Sequence, residues 1–247
     1  MPPGKTTIYV ASAGTGKTTT LMDLLTDCLE DCNPGEIVFT TFTKSGATEA
    51  INRALTKNPN YEEKDFTGFS TLHAYCYRRI PRKQMLNFQD YKLIGQLSGY
   101  PMTGNSGYYN NATESTFSSA KGDRLLHYHS LMRNMNKPAE EVLLNQIGTK
   151  FTADELNDFD RFYREFRTEK NKYDFTDHLE VFLKEGVQQH VKYLFVDEAQ
   201  DLSPLQWQVI DKLAETAEQI YIAGDDKQSI YKFSGGDPKS LIERQGT

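Results

Sequence analysis

A chain of 247 residues, 38% apolar and 25% charged, is long enough to bury a core; no run reaches the ~18 apolar residues of a membrane span, and no basic, apolar, small-residue leader opens it. Three cysteines, Cys28, Cys32 and Cys76, form an odd set that argues against a disulfide framework and for a reducing, cytoplasmic setting. A net charge of −6 offers nucleic acid no global attraction, so any such contact falls to local clusters: Arg78, Arg79, Arg82 and Lys83, or Arg161, Arg164, Arg167, Lys170 and Lys172.

The first element is the apolar run Ile8 to Val10, read as a strand. Directly after it, residues 11 to 18 read Ala-Ser-Ala-Gly-Thr-Gly-Lys-Thr, with a helix expected from about Lys17. Strand, glycine-bearing loop and helix start, in that order, are the context of a phosphate-binding loop, whose backbone N–H groups and helix dipole converge on an anion. Ala11, Ser12, Ala13, Gly14, Thr15, Gly16, Lys17, Thr18 and Thr19 are the candidate phosphate-binding residues. Lys17 is expected to reach the β- and γ-phosphates, and the Thr18 hydroxyl to sit on Mg²⁺. Gly4-Lys5-Thr6 has the same last three residues but precedes the strand, and Ala11 stands where the strict pattern has glycine.

Further β-rich runs follow at Ile37 to Phe42, Phe66 to Ser70, Val191 to Val196 and Gln219 to Ala223, with helical patterns between most of them. Strands apolar enough to be buried on both faces and alternating with helices predict an α/β fold with a parallel sheet, a RecA-like P-loop NTPase core. The strand signal lapses between about residues 90 and 170. Residues 98 to 122 read as a long loop rich in Gly, Ser, Thr, Asn and Tyr. Thr152 to Glu155 then forms a capping box ahead of a helix whose apolar face is Leu156, Phe159, Tyr163 and Phe166. The expected organisation is a core of residues 1–89 and 171–247 with a mostly helical subdomain, 90–170, inserted in it.

The run Val191 to Val196 leads straight into Asp197 and Glu198. Downstream of a phosphate loop, Asp197 is expected to hold the metal and Glu198 to orient and deprotonate an attacking water. Ser203-Pro204-Leu205-Gln206 is a second capping box, opening a helix with Leu205, Val209, Ile210 and Leu213 on its core face. After the last strand, Gly224 to Tyr231 brings in Gln228, a neutral donor and acceptor suited to the γ-phosphate or the attacking water.

Six segments, in order, resemble the motifs of the UvrD/Rep helicases: Ala11 to Thr18, Thr41 to Lys44, Ser70 to His73, Tyr173 to Asp177, Val196 to Asp201 and Gly224 to Tyr231. The resemblance implies an ATP-driven, Mg²⁺-dependent superfamily 1 motor on single-stranded DNA, moving 3′ to 5′. It makes Gln228 the γ-phosphate sensor, puts Thr41, Phe42 and His73 in the DNA groove, and sets Tyr231 and Phe233 near the bases. Stacking on any base's π-face suits a sequence-indifferent translocase. Phe233 stands where the family often has Trp, and Ser234 where it often has Arg.

Only ten residues precede the phosphate loop, so the glutamine segment that reads adenine in many relatives is not expected. The second RecA-like domain, which supplies arginines to the ATP site and half of the DNA track, is expected as a partner outside these 247 residues. Weak nucleotide binding and slow hydrolysis are therefore expected of the chain by itself. The alternative is a non-catalytic nucleic-acid-binding or regulatory module on the same fold. Intact Lys17, Thr18, Asp197, Glu198 and Gln228 speak for the enzyme.

Overall fold

The computed structural model describes residues 5–10, 16–104, 120–144, 150–187, 189–225, 236 and 238–244. The chain divides into two compact units, residues 1–80 with 179–247 and residues 81–178. No helix among the described residues is long and apolar enough to cross a membrane.

The first unit is built on strands β1 (Lys5–Val10), β2 (Ile37–Thr41), β3 (Phe69–Thr71), β6 (Tyr193–Val196) and β7 (Gln219–Gly224). All pairings are parallel, in the order β1-β7-β6-β2-β3. Its helices are α1 (Lys17–Asp31), α2 (Lys44–Lys57), α3 (Leu72–Tyr77), α9 (Pro204–Ala214) and α10 (Pro238–Arg244). This is the mixed α/β, parallel-sheet architecture that the strand and helix alternation calls for.

Both sheet faces are covered. Ile37, Phe39, Phe195, Tyr221 and Ala223 pack with Leu21, Leu25 and Leu29 of α1 and Ala50 and Ala54 of α2. The alternate residues Val38, Leu194, Val196, Ile220 and Ile222 are buried as well, as period-two side chains must be when the sheet lies between two helical layers. Aromatic rings run across the strands: Phe69 to Phe39 at 5.7 Å, Phe39 to Phe195 at 6.1 Å and Phe195 to Tyr221 at 4.8 Å.

Strand β3 starts three residues later than Phe66, because Phe66 closes a single-turn helix (Glu63–Asp65) and Gly68 then passes hard against β2. A Cβ on Gly68 would stand 2.1 Å from the Ile37 carbonyl oxygen, so only glycine lets the chain enter the sheet there. The box at Ser203 forms as read, with Gln206 N donating to Ser203 Oγ at 3.3 Å and Ser203 N to Gln206 Oε1 at 2.8 Å.

The second unit is mostly helical: α4 (Phe88–Ser98), α5 (Lys121–Met135), α6 (Ala139–Leu144) and α7 (Ala153–Lys170). Its core gathers Tyr91, Ile94, Leu125, Leu131, Leu156, Phe159, Tyr163 and Phe166. Thr152 caps α7 as the sequence predicts, accepting from Glu155 N at 3.1 Å. Two short strands, β4 (Gln84–Met85) and β5 (Lys172–Tyr173), pair in parallel within this unit, which therefore extends beyond 90–170 at both ends. Helix α8 (Asp177–Glu185) carries the chain back towards β6.

Candidate nucleotide site

Parallel order puts the carboxyl ends of all five strands on one edge, where open α/β sheets bind ligands. Among the described residues, the start of α1, Asp197 after β6 and Asp225 after β7 meet there. Gly16 adopts the left-handed conformation, φ 84° and ψ 16°, and caps α1, with Thr20 N bonding back to its carbonyl at 2.9 Å. Helix α1 has no acidic residue in its first turn and no side-chain hydrogen bond from its cap, which leaves the positive end of its dipole open to an anion. Lys17 and Thr18 lie in that first turn.

Thr18 Oγ1 lies 3.5 Å from Asp197 Oδ2, and Lys17 Nζ lies 3.9 Å from Asp225 Oδ2. Asp197 is seated by β2, its N–H donating to the Thr40 carbonyl at 2.9 Å, while its own Oδ1 accepts from Glu198 N at 3.0 Å. Burial, then the neighbouring Glu198 charge, pushes the Asp197 carboxyl up to about 6. Glu198 is one of three non-glycine residues with positive φ among the described residues, at φ 55°, the kind of backbone strain that gathers at functional sites.

The donor set fits magnesium. A hydroxyl and a carboxylate oxygen side by side are hard ligands of the kind Mg²⁺ takes, and a buried carboxylate next to a second acid is one that a divalent cation would hold ionised.

Lys17, Thr18, Asp197 and Glu198 are thus gathered at one sheet edge. Ala11, Ser12, Ala13, Gly14, Thr15, Gln228, Tyr231 and Phe233 lie outside the described residues. Thr19 lies in the first turn of α1 and is exposed. Thr41 ends β2 and is buried, Phe42 follows it half-buried, and His73, also half-buried, lies in α3 directly after β3.

Several other residues in the matched segments have structural work. Thr43 caps α2 by accepting from Gly46 N at 3.1 Å, and Ser70 accepts from Arg78 Nη2 at 2.7 Å. Most members of the second basic cluster face acids: Arg161 with Asp158, Arg164 with Asp160, Arg167 with Asp177 and Lys172 with Asp90. Arg167 and Lys172 are thus paired inside the fold, while Arg161 and Arg164 make surface pairs.

Two contributors escaped the sequence reading. Gln200 donates to Glu198 and accepts from Asp225, and Asp225 meets Lys17. Both lie within motif segments, yet neither had a signal beyond that membership.

The parallel sheet with its helices is the architecture of a RecA-like helicase domain. The family model of the UvrD/REP helicase N-terminal domain matches residues 1–246, and the chain belongs to that family. It is 25% identical to the ATP-dependent DNA helicase Rep of Buchnera aphidicola, over 95% of this chain and 37% of the relative. It is 24% identical to the ATP-dependent DNA helicase PcrA of Leuconostoc citreum, over 95% of this chain and 32% of the relative. DNA helicase II of Haemophilus influenzae is 22% identical, over 95% and 33%. The chain spans about a third of the length of these relatives.

Proposed function

We propose that the chain is the nucleotide-binding part of an ATP-hydrolysing motor that moves 3′ to 5′ along single-stranded DNA in the cytoplasm. The observation that carries this reading is the approach of Thr18 to Asp197, the neighbour of Glu198, and of Lys17 to Asp225 at the carboxyl edge of one parallel sheet. The names of the relatives, ATP-dependent DNA helicases, support the same reaction.

In this reading the loop amides and Lys17 bind the triphosphate. A magnesium ion held by Thr18 and Asp197 would neutralise phosphate charge and help align the leaving group. Glu198 orients the attacking water and accepts its proton, and Gln228 contacts the γ-phosphate. Thr41, Phe42, His73, Tyr231 and Phe233 engage the DNA by stacking and polar contact. Because the chain spans about a third of its relatives, a second RecA-like domain is proposed to complete the ATP site and the DNA track.

The test is binding of mant-ATP with Mg²⁺, together with single-turnover hydrolysis, with and without single-stranded DNA. The wild-type chain is expected to bind weakly and hydrolyse slowly, and Glu198→Gln to bind and not hydrolyse. Wild-type hydrolysis by Glu198→Gln would remove Glu198 from its role. Binding without hydrolysis by the wild type would favour a regulatory module, and absence of nucleotide binding would refute the site.

A further inference from the structure

Gln200 lies in the single-turn helix Ala199–Asp201 that follows β6, and is 3% exposed. Its amide is shared between two strand ends. Nε2 donates to Glu198 Oε2 at 2.7 Å and to Asp201 Oδ2 at 3.3 Å, while Oε1 accepts from Asp225 N at 2.8 Å. This double task needs an amide: a carboxylate lacks the donor and an ammonium lacks the acceptor.

The surroundings are shaped to admit that amide. A Cβ on Gly224 would stand 2.6 Å from Leu241 Cδ2, 2.9 Å from Gln200 Oε1 and 3.3 Å from Gln200 N, so the glycine that ends β7 leaves the space that Leu241 and Gln200 share. Glu198, in its left-handed backbone conformation, is fixed by its N–H on Asp197 Oδ1 and by its carbonyl, which accepts from Asp201 N at 3.1 Å. With the backbone set this way and Oε2 held by Gln200, the carboxylate cannot swing freely, and the position of Oε1 is set too.

We propose that Gln200 is a positioning residue for hydrolysis: it aims the Glu198 carboxylate and couples that aim to Asp225, where the segment bearing Gln228 leaves β7. The proposal rests on the reading of Glu198 as the water-activating group. A charge-assisted hydrogen bond in a buried site restrains a carboxylate well, and small misplacements of a reacting group cost large factors in rate. Gln200 itself touches neither nucleotide nor water in this scheme.

Two variants separate its two bonds. Gln200→Met has similar length and neither bond; Gln200→Glu keeps an acceptor for Asp225 N and has no donor for Glu198. Mant-ATP affinity, the single-turnover hydrolysis constant and the exchange rate of the Asp225 amide hydrogen are measured on the whole chain. Both variants are expected to hold mant-ATP within about twofold of wild type and to hydrolyse about tenfold more slowly or worse. The Asp225 amide should exchange faster in Gln200→Met and at the wild-type rate in Gln200→Glu.

Wild-type hydrolysis by either variant overturns the proposal, and so does unchanged Asp225 exchange in Gln200→Met. If Glu198→Gln hydrolyses normally, the reading of Glu198 fails on its own account, while Asp225 exchange still decides whether Gln200 makes the bond.

Discussion

Arg133 Nη1 donates to Asp174 Oδ2 at 2.5 Å inside the helical unit, and its Nη2 reaches Asp177 Oδ1 at 2.7 Å, so one guanidinium spans two buried carboxylates. Arg167 also bonds Asp177, and the two aspartates cap each other through their backbone N–H groups at 2.8 and 2.9 Å. Burial alone would raise Asp174; the two guanidiniums outweigh it and hold that carboxyl well below the usual range.

Arg133→Met should destabilise the chain by about 3–5 kcal/mol, because it leaves two buried carboxylates with a single guanidinium. Urea unfolding followed by helical circular dichroism measures this. A loss under about 1 kcal/mol would mean that the cluster is solvated in solution.

The helical unit should also be acid-labile. Burial lowers His127 and His178 to about 4, and lowers the fully buried His129, whose Nε2 lies 2.9 Å from Asp160 Oδ1. The unfolded chain takes up these protons near pH ~6.5 while the folded chain refuses them. The stabilisation is thus fully present above pH ~6.5 and falls, by up to about 1.4 kcal/mol per pH unit down to about 4 for His127 and for His178, with His129 adding to the fall in the same direction. Asp160, held down at about 2 by His129 and Arg164 against the cost of burial, adds a loss that starts only below pH ~3.9. Urea midpoints measured from pH 7.5 to 4.5 should fall steadily; a constant midpoint would contradict the burial of neutral imidazoles.

Asp197→Asn should improve folding and impair binding. An acid whose folded pKa is raised to about 6 prefers its neutral form, so ionised Asp197 at neutral pH costs about 1–3 kcal/mol until a cation offsets it. The variant is expected to raise the Tm of the nucleotide-free chain by a few degrees and to weaken Mg²⁺-dependent mant-ATP binding about tenfold or more. Unchanged Mg²⁺ dependence would take Asp197 out of the metal site.

Gly68→Ala should destabilise by about 1–3 kcal/mol, since its Cβ would meet the Ile37 carbonyl at 2.1 Å and pry β3 from β2. The matched control is Gly35→Ala, where a Cβ would have nothing within 4 Å. Equal effects of the two substitutions on the urea midpoint would refute the packing argument.

The sheet strands were readable from apolar runs such as Val38, Phe39 and Leu194, which are buried; the ends of β1 and β3 were less so, because Lys5, Thr6 and Thr7 open β1 and Ser70 and Thr71 close β3. Local chemistry was readable too: the boxes at Thr152 and Ser203 need only residues three apart. The pair Gln84–Met85 and Lys172–Tyr173 was not, because two residues carry no periodicity. Gln200 and Asp225 are 25 positions apart and meet only because β6 lies beside β7, an order no pattern in the sequence encodes. Arg167 read as one more cation in a basic run; its burial against Asp177 depends on how α7 packs in the helical unit.

The chain's single tryptophan, Trp207, is 2% exposed, and the Arg244 guanidinium of α10 sits 4.2 Å from its ring centroid. Among the described residues, α10 is the next helix after the segment that bears Gln228. The protein therefore carries a single buried fluorophore capped by a cation from α10, so loss of that helix from its seat should change the emission, a local optical reporter that needs no altered residue.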